Sequence, residues 1–265
     1  MKINRLHFFI VLMSCLLFGM KTYAQQKGFS WPEGQKAAVC MSYDDAILSH
    51  LDHAIPDLNR AGMHGTFYIQ GTNLVPESID GWRAAAASGH ELGCHSLFHP
   101  CSGKSDWVAE EYRIENYTLK RLFDELRILN HFLFTIDGKP ERTYAYPCHV
   151  KEVGGINYVD TLSRSGLFLG ARNGFSPEPV SPAYLNLFDV PSMTVTDKVP
   201  FDEVTAYIEQ AVESGTMAVF CFHGIGDDYI VTSREYHQKI IDYLQVKEDQ
   251  IWVATMAEIA AHLSK

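Results

Sequence analysis

Short apolar segments alternate with longer amphipathic segments along the chain from residue 37 onward. The short segments are rich in β-branched and aromatic residues, as buried strands are, and they cover residues 37–43, 65–69, 91–95, 143–146, 167–171, 188–193, 217–222 and 251–255. The longer segments have apolar residues at helical spacing and cover residues 47–60, 79–88, 107–133, 158–165, 201–214, 234–246 and 256–263. This alternation predicts βαβ units and a parallel sheet.

The number of these units limits the choice of fold. Seven or eight of them follow one another within about 240 residues, without a repeat or a linker, which favours a closed or nearly closed α/β barrel in a single domain. A dinucleotide-binding sheet would need a glycine-rich turn after its first strand, whereas this strand ends in Tyr43-Asp44-Asp45. The sequence therefore argues against dinucleotide binding.

The composition narrows the classes of function. Of the 265 residues, 46% are hydrophobic, which is too many for a disordered chain. The 22 Lys and Arg residues against 32 Asp and Glu residues give a net charge of −10, so nucleic acid and anionic membrane surfaces are not expected partners. A neutral or cationic solute suits this charge better.

The first 24 residues have the organisation of a secretory signal peptide. Lys2 and Arg5 precede an apolar stretch over residues 6–19 that is short for a membrane span, and small residues before Gln25 offer a cleavage site. We predict that residues 1–24 are removed, that residues 25–265 form the catalytic domain without a membrane span, and that the protein is exported to the periplasm or secreted. A retained membrane anchor and a lipoprotein attached at Cys15 are less favoured.

Five cysteines remain after this cleavage, and their pattern is not that of a disulfide framework. Their number is odd and no CxxC pair occurs, which also argues against a thiolate zinc site. Four of the five lie in apolar, strand-like segments, where cysteine packs as a small core residue. Whether Cys101 pairs with another cysteine stays open at this point.

Two adjacent acids, Asp44 and Asp45, stand at the carboxyl end of the first predicted strand. Ionised carboxylates this close repel each other unless a cation or a proton neutralises one of them, so the pair indicates a binding site. The alternative is a helix N-cap ahead of residues 47–60, a position that aspartate favours.

The densest group of candidate ligands is in the stretch GHELGCHSLFHP. His95 and His99 have three residues between them, a spacing that allows both imidazoles to bind one metal ion. The helical zinc motif is excluded, because Ser96 stands where its glutamate would be and Pro100 follows the second histidine. Together with Asp45, the two histidines form a set suited to Zn²⁺, while Co²⁺, Ni²⁺, Fe²⁺ or Mn²⁺ could use the same ligands.

A further histidine, His223, follows another apolar strand, so that all these polar groups stand where a strand gives way to its loop. Barrels of this class build their active sites from such strand ends. A divalent ion lowers the pKa of bound water, Asp44 can take a proton from that water, and His223 can protonate the leaving group. The residues predict metal-assisted hydrolysis of an amide or ester, without a covalent acyl-enzyme, because no GxSxG or Cys/His signature occurs.

Several stretches resemble the motifs of the polysaccharide deacetylases, the NodB-homology carbohydrate esterases. In chain order they are SYDD at residues 42–45, GTFYI at 65–69, GHELGCHSLFHP at 89–100, YAYP at 144–147, VFCFH at 219–223 and WVAT at 252–255. The resemblance implies a distorted (β/α)7 barrel that removes acetyl groups from sugars, with Asp44 as base and His223 as acid. The metal ligands that it implies are Asp45, His95 and His99.

The chain departs from this family at the residue that orients the base. In much of the family an arginine stands where Ala145 is found. We predict that Arg172, at the end of the predicted strand over residues 167–171, supplies that charge from a neighbouring position. The family's acidic partner of the catalytic histidine is not recognisable either, and Asp189 is only a weak candidate.

The third motif is altered as well. Cys148 and His149 follow Tyr146-Pro147 where the family has an aromatic residue and a glycine. The backbone N–H of Cys148 remains able to bind an oxyanion, because a backbone donor does not depend on the side chain. We therefore place Tyr146, Pro147 and Cys148 at the substrate.

The predicted substrate is an acetylated polysaccharide or oligosaccharide, and the sequence does not separate N-acetyl from O-acetyl linkages. An amine leaving group needs a proton from His223 more than an alkoxide does. Two alternatives stay open. A carbohydrate-binding protein that has lost catalysis would explain the changed third motif, and a nonheme iron oxygenase would use the same ligands but disagrees with the strand–helix alternation.

Overall fold

A parallel sheet that closes on itself forms the centre of the computed structural model, which describes residues 28–265. The predicted signal peptide lies outside the described residues. The strands are β1 (Ala37–Asp44), β2 (Thr66–Ile69), β3 (Glu91–Cys94), β4 (Tyr144–Ala145), β5 (Glu152–Val153), β6 (Ile156–Asn157), β7 (Ala171–Phe175), β8 (Val190–Thr194), β9 (Met217–Phe222) and β10 (Ile251–Val253). β5 and β6 form a separate antiparallel hairpin.

Seven of the strands form the barrel. Hydrogen bonds connect them in the order β1-β2-β3-β4-β7-β8-β9, and β9 returns to pair with β1. β10 pairs with the beginning of β1, whereas β2 pairs with its end. The ring is uneven, because β9 and β1 share six register pairs while β3 and β4 share only Cys94↔Tyr144. The predicted distorted (β/α)7 barrel in a single domain is confirmed.

The helices follow the strands and surround the barrel. They are α1 (Ile55–Arg60), α2 (Ile79–Ala87), α3 (Leu119–Asp137), α4 (Val159–Arg164), α5 (Phe201–Ser214), α6 (Arg234–Val246) and α7 (Met256–Leu263). The N-cap residues of α3, α6 and α7 are Thr118, Ser233 and Thr255, whose side chains each accept a hydrogen bond from the backbone N–H three residues later. Among the helices of residues 28–265, none has both the length and the apolar character of a bilayer span.

Three predicted elements have clearly different bounds in the structure. The helix predicted over residues 47–60 becomes α1 only at Ile55, after a π-helical turn over His50–Ala54. The helix predicted over residues 107–133 begins only at Leu119. Cys101 forms an isolated β-bridge with Arg113, and its carbonyl accepts a hydrogen bond from Ile114 N–H, so the residues before α3 form a loop instead of a helix. The strand predicted over residues 167–171 covers Ala171–Phe175 instead, since its pairing with β4 starts at Ala171. The hairpin β5–β6 was not predicted, because two-residue strands carry too short a pattern.

Packing between the barrel and the helices around it orients the end of β1. Every residue of β1 is buried, and the Tyr43 ring stacks between Phe67 of β2 and Phe222 of β9. Side chains alternate along a strand, so Asp44 points away from this aromatic layer, toward the other side of β1. The parallel arrangement places the carboxyl ends of β1, β3, β4, β7 and β9 at the same mouth of the barrel, where the predicted site residues lie.

Candidate active site

Three predicted ligands meet at the mouth of the barrel. Asp45 follows β1 and its N–H donates to the carbonyl of Tyr68, while His95 follows β3 and its N–H donates to the carbonyl of Ile69. The Asp45 Oδ1 atom lies 3.4 Å from His95 Nε2 and 3.5 Å from His99 Nε2. The structure therefore brings Asp45, His95 and His99 together, within reach of one ion.

The hydrogen bonds around this group fit a divalent metal. Asp45 Oδ1 is buried and has no hydrogen-bond partner among the described residues, although two imidazole nitrogens face it. His95 Nδ1 lies 2.9 Å from the carbonyl of Ala145, so Nδ1 carries the proton and Nε2 presents its lone pair. A carboxylate oxygen and two such lone pairs are the donor set of a zinc-type site.

The two histidines are held neutral by their surroundings. Burial lowers the pKa of His95 to about 4 and that of His99 to about 4, the second reinforced by the charge of its neighbour His95. A neutral imidazole keeps the lone pair that metal coordination requires.

Tyr229 holds the other oxygen of the Asp45 carboxylate. Its hydroxyl donates to Asp45 Oδ2 over 2.8 Å from the loop after β9. Burial and the nearby Asp45 carboxylate raise the pKa of Tyr229, so the hydroxyl stays protonated as a donor. The contact fixes the carboxylate so that Oδ1 faces the histidines. No motif in the sequence indicated this residue.

Arg172 lies against the predicted base. Its Nη2 donates to Asp44 Oδ1 over 2.7 Å and also to Asp44 Oδ2, and both side chains are buried. Burial by itself raises the pKa of Asp44, but the Arg172 charge, reinforced by His95, outweighs it and holds the pKa well below its usual range. Asp44 is thus a deprotonated carboxylate next to the candidate metal ligands.

The register of β4 and β7 explains why an arginine can reach Asp44 from this position. Arg172 is the register partner of Ala145 on the adjoining strand. Register partners on neighbouring strands point to the same face of a sheet, so their side chains enter the same space. The small side chain of Ala145 leaves room for the guanidinium. The prediction that Arg172 is a neighbouring substitute agrees with this placement, while its role in catalysis stays a prediction.

His223 lies nearest to Oδ2 of Asp45, whereas His95 and His99 face Oδ1. Its Nε2 is 3.9 Å from Asp45 Oδ2, and its backbone carbonyl is 2.8 Å from His50 Nε2. His223 Nδ1 is buried without a hydrogen-bond partner among residues 28–265. Asp189 is not its partner, because both carboxylate oxygens of Asp189 are engaged elsewhere, with Lys151 and Asn173.

The sequence predicts that Tyr146, Pro147 and Cys148 contact the substrate, but only Cys148 lines the cavity at the mouth of the barrel. Tyr146 is buried, and its hydroxyl donates to the carbonyl of Phe188. Its N–H donates to the carbonyl of Arg172, and Pro147 has no N–H, so neither can supply a backbone donor to a substrate. Tyr146 and Pro147 thus lie outside the lining of the cavity, and the Cys148 N–H stays the predicted oxyanion donor.

These residues surround an open cavity of about 710 Å³. The cavity is lined by Asp44, Asp45, Gln70, Asn73, His95, Phe98, His99, Trp107, Val108, Ala109, Tyr112, Cys148, His149, Thr194, His223, Tyr229 and Ile230. Trp107 and Tyr229 are large, partly exposed aromatic residues at this cavity, with 67% and 46% of their surface accessible. The volume and the aromatic lining suit a sugar-sized ligand.

Strained backbone is concentrated around the cavity. Nine non-glycine residues of the described chain have positive φ, and eight of them belong to the loops at the strand ends: Asp45, Ala46, Ser96, His99, Cys148, His149, Asp228 and Ile230. Such conformations cost about 1–3 kcal/mol each and persist where the surrounding structure enforces them. The geometry of the site therefore depends on the contacts that hold these loops in their strained conformations.

Sequence reasoning missed three features of this site. They are the Tyr229 contact, the His149 ring at the cavity wall, and a disulfide between Cys101 and Cys148. His149 was noted only as a departure from the family. The odd cysteine count concealed the disulfide, although Cys101 was the one cysteine for which pairing was left open.

Comparison with known proteins supports the family that the motifs indicated. Residues 32–151 match the family model described as polysaccharide deacetylase, so the resemblance is confirmed over the part of the chain that contains Asp44, Asp45, His95 and His99. Arg172 and His223 lie beyond the matched residues. No curated protein gives a significant match to the chain.

Solved structures share the fold across most of the chain. A protein from Mycobacterium smegmatis, provisionally described as a polysaccharide deacetylase, is 18% identical with a TM-score of 0.61, covering 90% of this chain and 93% of its own. PdaA from Bacillus subtilis, a family 4 carbohydrate esterase, is 15% identical with a TM-score of 0.54, covering 90% and 85%. A mutant of BA3943, a CE4 family pseudoenzyme, is 16% identical with a TM-score of 0.54, covering 85% and 67%. At these identities the likeness establishes the fold.

The contact between Tyr229 and Asp45 generates a first prediction. Tyr229→Phe removes the hydroxyl and leaves Asp45 Oδ2 without its donor, so Zn²⁺ binding, measured by competition with a chromophoric chelator, should weaken about 10- to 100-fold. The exposed Tyr184 serves as the control, and Tyr184→Phe should bind Zn²⁺ as the parent does. Equal affinities of the parent and Tyr229→Phe would show that Tyr229 does not position the carboxylate.

Proposed function

We propose that this chain, whose residues 32–151 match the polysaccharide deacetylases, is a metal-dependent hydrolase that removes acetyl groups from an acetylated polysaccharide or oligosaccharide. One observation carries the proposal. Asp45 Oδ1, which has no hydrogen-bond partner in the described part of the chain, faces the Nε2 atoms of His95 and His99. Asp44 lies alongside, with its Oδ2 3.7 Å from His95 Nε2. A ligand set with a separate carboxylate beside it suits hydrolysis better than binding alone.

Asp45, His95 and His99 would hold the metal, for which Zn²⁺ is the proposed identity, because two imidazoles and one carboxylate suit it. When bound, such an ion supplies Lewis-acid polarisation and lowers the pKa of a water molecule. Asp44 accepts the proton of the attacking water. Arg172 keeps this carboxylate deprotonated and fixes its orientation through two hydrogen bonds.

Other residues of the cavity would bind the oxyanion, protonate the leaving group and contact the sugar. The N–H of Cys148 donates to the oxygen that becomes negative when water attacks the acetyl carbonyl. His223 donates a proton to the departing amine nitrogen or alkoxide oxygen. Among the residues that the structure describes, no carboxylate bonds to its Nδ1 to fix the tautomer of the ring. Trp107 offers an exposed indole face on which a pyranose ring can stack.

The proposed location is outside the cytoplasm. The N-terminal 24 residues read as a signal peptide, and the Cys101–Cys148 disulfide suits an oxidising compartment. An acidic protein with a net charge of −10 is compatible with a neutral glycan, or with a product whose freed amines become cationic.

The second candidate is a catalytically impaired carbohydrate-binding protein on the same scaffold. The observation in its favour is that the Cys221 thiol lies 3.4 Å from Asp44 Oδ2, next to the predicted base, in a chain that also lacks the usual arginine at Ala145. The occurrence of a pseudoenzyme among the structural neighbours gives this candidate weight. Acetate release separates the two candidates.

Acetate release from acetylated xylan and from N-acetylated glycan oligomers is the direct test. We expect release that stops with a chelator, returns with added Zn²⁺, and falls at least 100-fold in Asp45→Asn, because that variant loses a ligand. Asp160→Asn, an exposed change on α4, should release acetate at the parent rate. Bound glycan without acetate release from any substrate would favour the impaired binding protein.

Removing Arg172 should move the acid limb of the pH–activity profile. Asp44 acts as a carboxylate, so activity falls as pH decreases through its pKa. Arg172→Ala removes the charge that lowers this pKa, and the acid limb should move to higher pH, with at least a tenfold loss of kcat. Removing one partner of this buried pair costs roughly 3–5 kcal/mol, so the stability of the variant must be measured as well.

A swapped variant controls for this destabilisation. Arg172→Ala combined with Ala145→Arg returns the guanidinium to the same face from the register partner, and should recover part of the activity and move the acid limb back toward lower pH. A folded Arg172→Ala variant with the parent's activity and pH profile would contradict the role of Arg172.

His223 should matter more for amides than for esters. An amine must be protonated to leave, whereas an alkoxide leaves more readily, so His223→Ala should lose more kcat on an N-acetyl sugar than on a matched O-acetyl sugar. The exposed His131 on α3 provides the control, and His131→Ala should have parent rates on both substrates. Equal losses on the two substrates would exclude His223 as the proton donor.

A further inference from the structure

A covalent bond joins two loops of the candidate site where the barrel has the fewest hydrogen bonds. Cys101 lies two residues after His99 in the loop after β3, and it forms a disulfide with Cys148 in the turn after β4. The strands below these loops share only one register pair, Cys94↔Tyr144. The disulfide therefore provides a connection across the mouth of the barrel that the sheet itself supplies only weakly.

The disulfide also touches a candidate ligand directly. His99 Nδ1 lies 3.4 Å from Cys101 Sγ, the position from which metal-bound histidines usually donate to an oxygen. The His99 backbone has φ of 51°, and its N–H donates to Ser96 Oγ over 2.9 Å. The ring orientation of His99 thus depends on a strained turn and on the sulfur beside it.

Cys101 is itself firmly anchored. It is fully buried, its N–H donates to the carbonyl of Tyr112, and its carbonyl accepts from Ile114 N–H. Cys148, by contrast, is exposed and has φ of 49°, in a turn that starts at Pro147. The crosslink attaches this strained turn, which carries the predicted oxyanion donor, to the anchored loop of the metal ligand.

We propose that the Cys101–Cys148 disulfide is a positioning element of the metal centre. It keeps the His99 imidazole directed at Asp45 and keeps the Cys148 N–H over the cavity. The inference rests on the metal site proposed above, but it concerns the affinity of the site for metal and does not require a particular glycan. Loss of the crosslink therefore weakens metal binding in a protein whose barrel is still folded.

The test compares Zn²⁺ affinity in the oxidised protein and in a variant that combines Cys101→Ser with Cys148→Ser. Competition with a chromophoric chelator should give binding at least tenfold weaker for the variant, and the visible absorption of bound Co²⁺ should change in intensity or wavelength. Thermal unfolding followed by circular dichroism identifies a temperature at which both proteins are folded, and Zn²⁺ binding is measured at that temperature. Cys40→Ser, which changes a free and buried cysteine, should bind Zn²⁺ as the parent does.

Two further variants distinguish the crosslink from the contact between sulfur and His99. Cys101→Ser with Cys148→Ala leaves a hydroxyl near His99 Nδ1, whereas Cys101→Ala with Cys148→Ser leaves none. We expect both to bind Zn²⁺ as weakly as the double serine variant, because both lack the crosslink. Parent-like affinity in any folded variant without the disulfide would overturn the inference.

The outcomes also separate this inference from the proposed function. If the parent protein binds no Zn²⁺ or Co²⁺, the metal-dependent function fails and the inference fails with it. If the parent binds metal and releases acetate while the variants bind metal equally tightly, the proposed function stands and only the inference fails. Mass spectrometry of an unreduced digest should recover the peptides of Cys101 and Cys148 as one linked species.

Discussion

The site depends on a buried carboxylate oxygen that faces two imidazole nitrogens and has no hydrogen-bond partner within residues 28–265. Burying Asp45 Oδ1 in this way is costly, because the neutral His95 ring directs the lone pair of Nε2 at the same space and His99 Nε2 lies 3.5 Å away without a hydrogen bond to it. A divalent cation satisfies all three groups at once. The arrangement is therefore understandable as a metal site and difficult to explain as a structural cluster.

The fold serves this arrangement by delivering one or two groups from each of several strand ends. Asp44 and Asp45 come from β1, the two histidines from the loop after β3, Arg172 from β7 and His223 from the end of β9. Asp44 differs from Asp45 in its partner, since a guanidinium neutralises Asp44 while Asp45 remains available to a cation. Two adjacent acids are thus suited to different roles because different neighbours surround them.

Much of the fold and the centre of the site could be predicted from the sequence, because both depend on local signals. The strand and helix periods are strong in β9, α5 and α6, whose predicted bounds equal the observed ones. Asp44 and Asp45 are adjacent, and only three residues separate His95 from His99, so each pair is visible as a short motif. Features that depend on tertiary contacts were harder to predict. The contacts of Asp44 with Arg172 and of Asp45 with Tyr229 join residues more than 100 positions apart in the chain. The first could be predicted only as a substitute for the arginine that the family resemblance implies, and the second was not predicted.

The proposed metal ion lies between Asp45, His95 and His99, and anomalous diffraction can locate it in a crystal of the Zn²⁺-loaded protein, with data recorded on both sides of the zinc absorption edge. We expect a single strong peak at coordination distance from a carboxylate oxygen of Asp45 and from Nε2 of both histidines. A fully loaded crystal with no peak at this position, or with its zinc held elsewhere, would contradict this proposal.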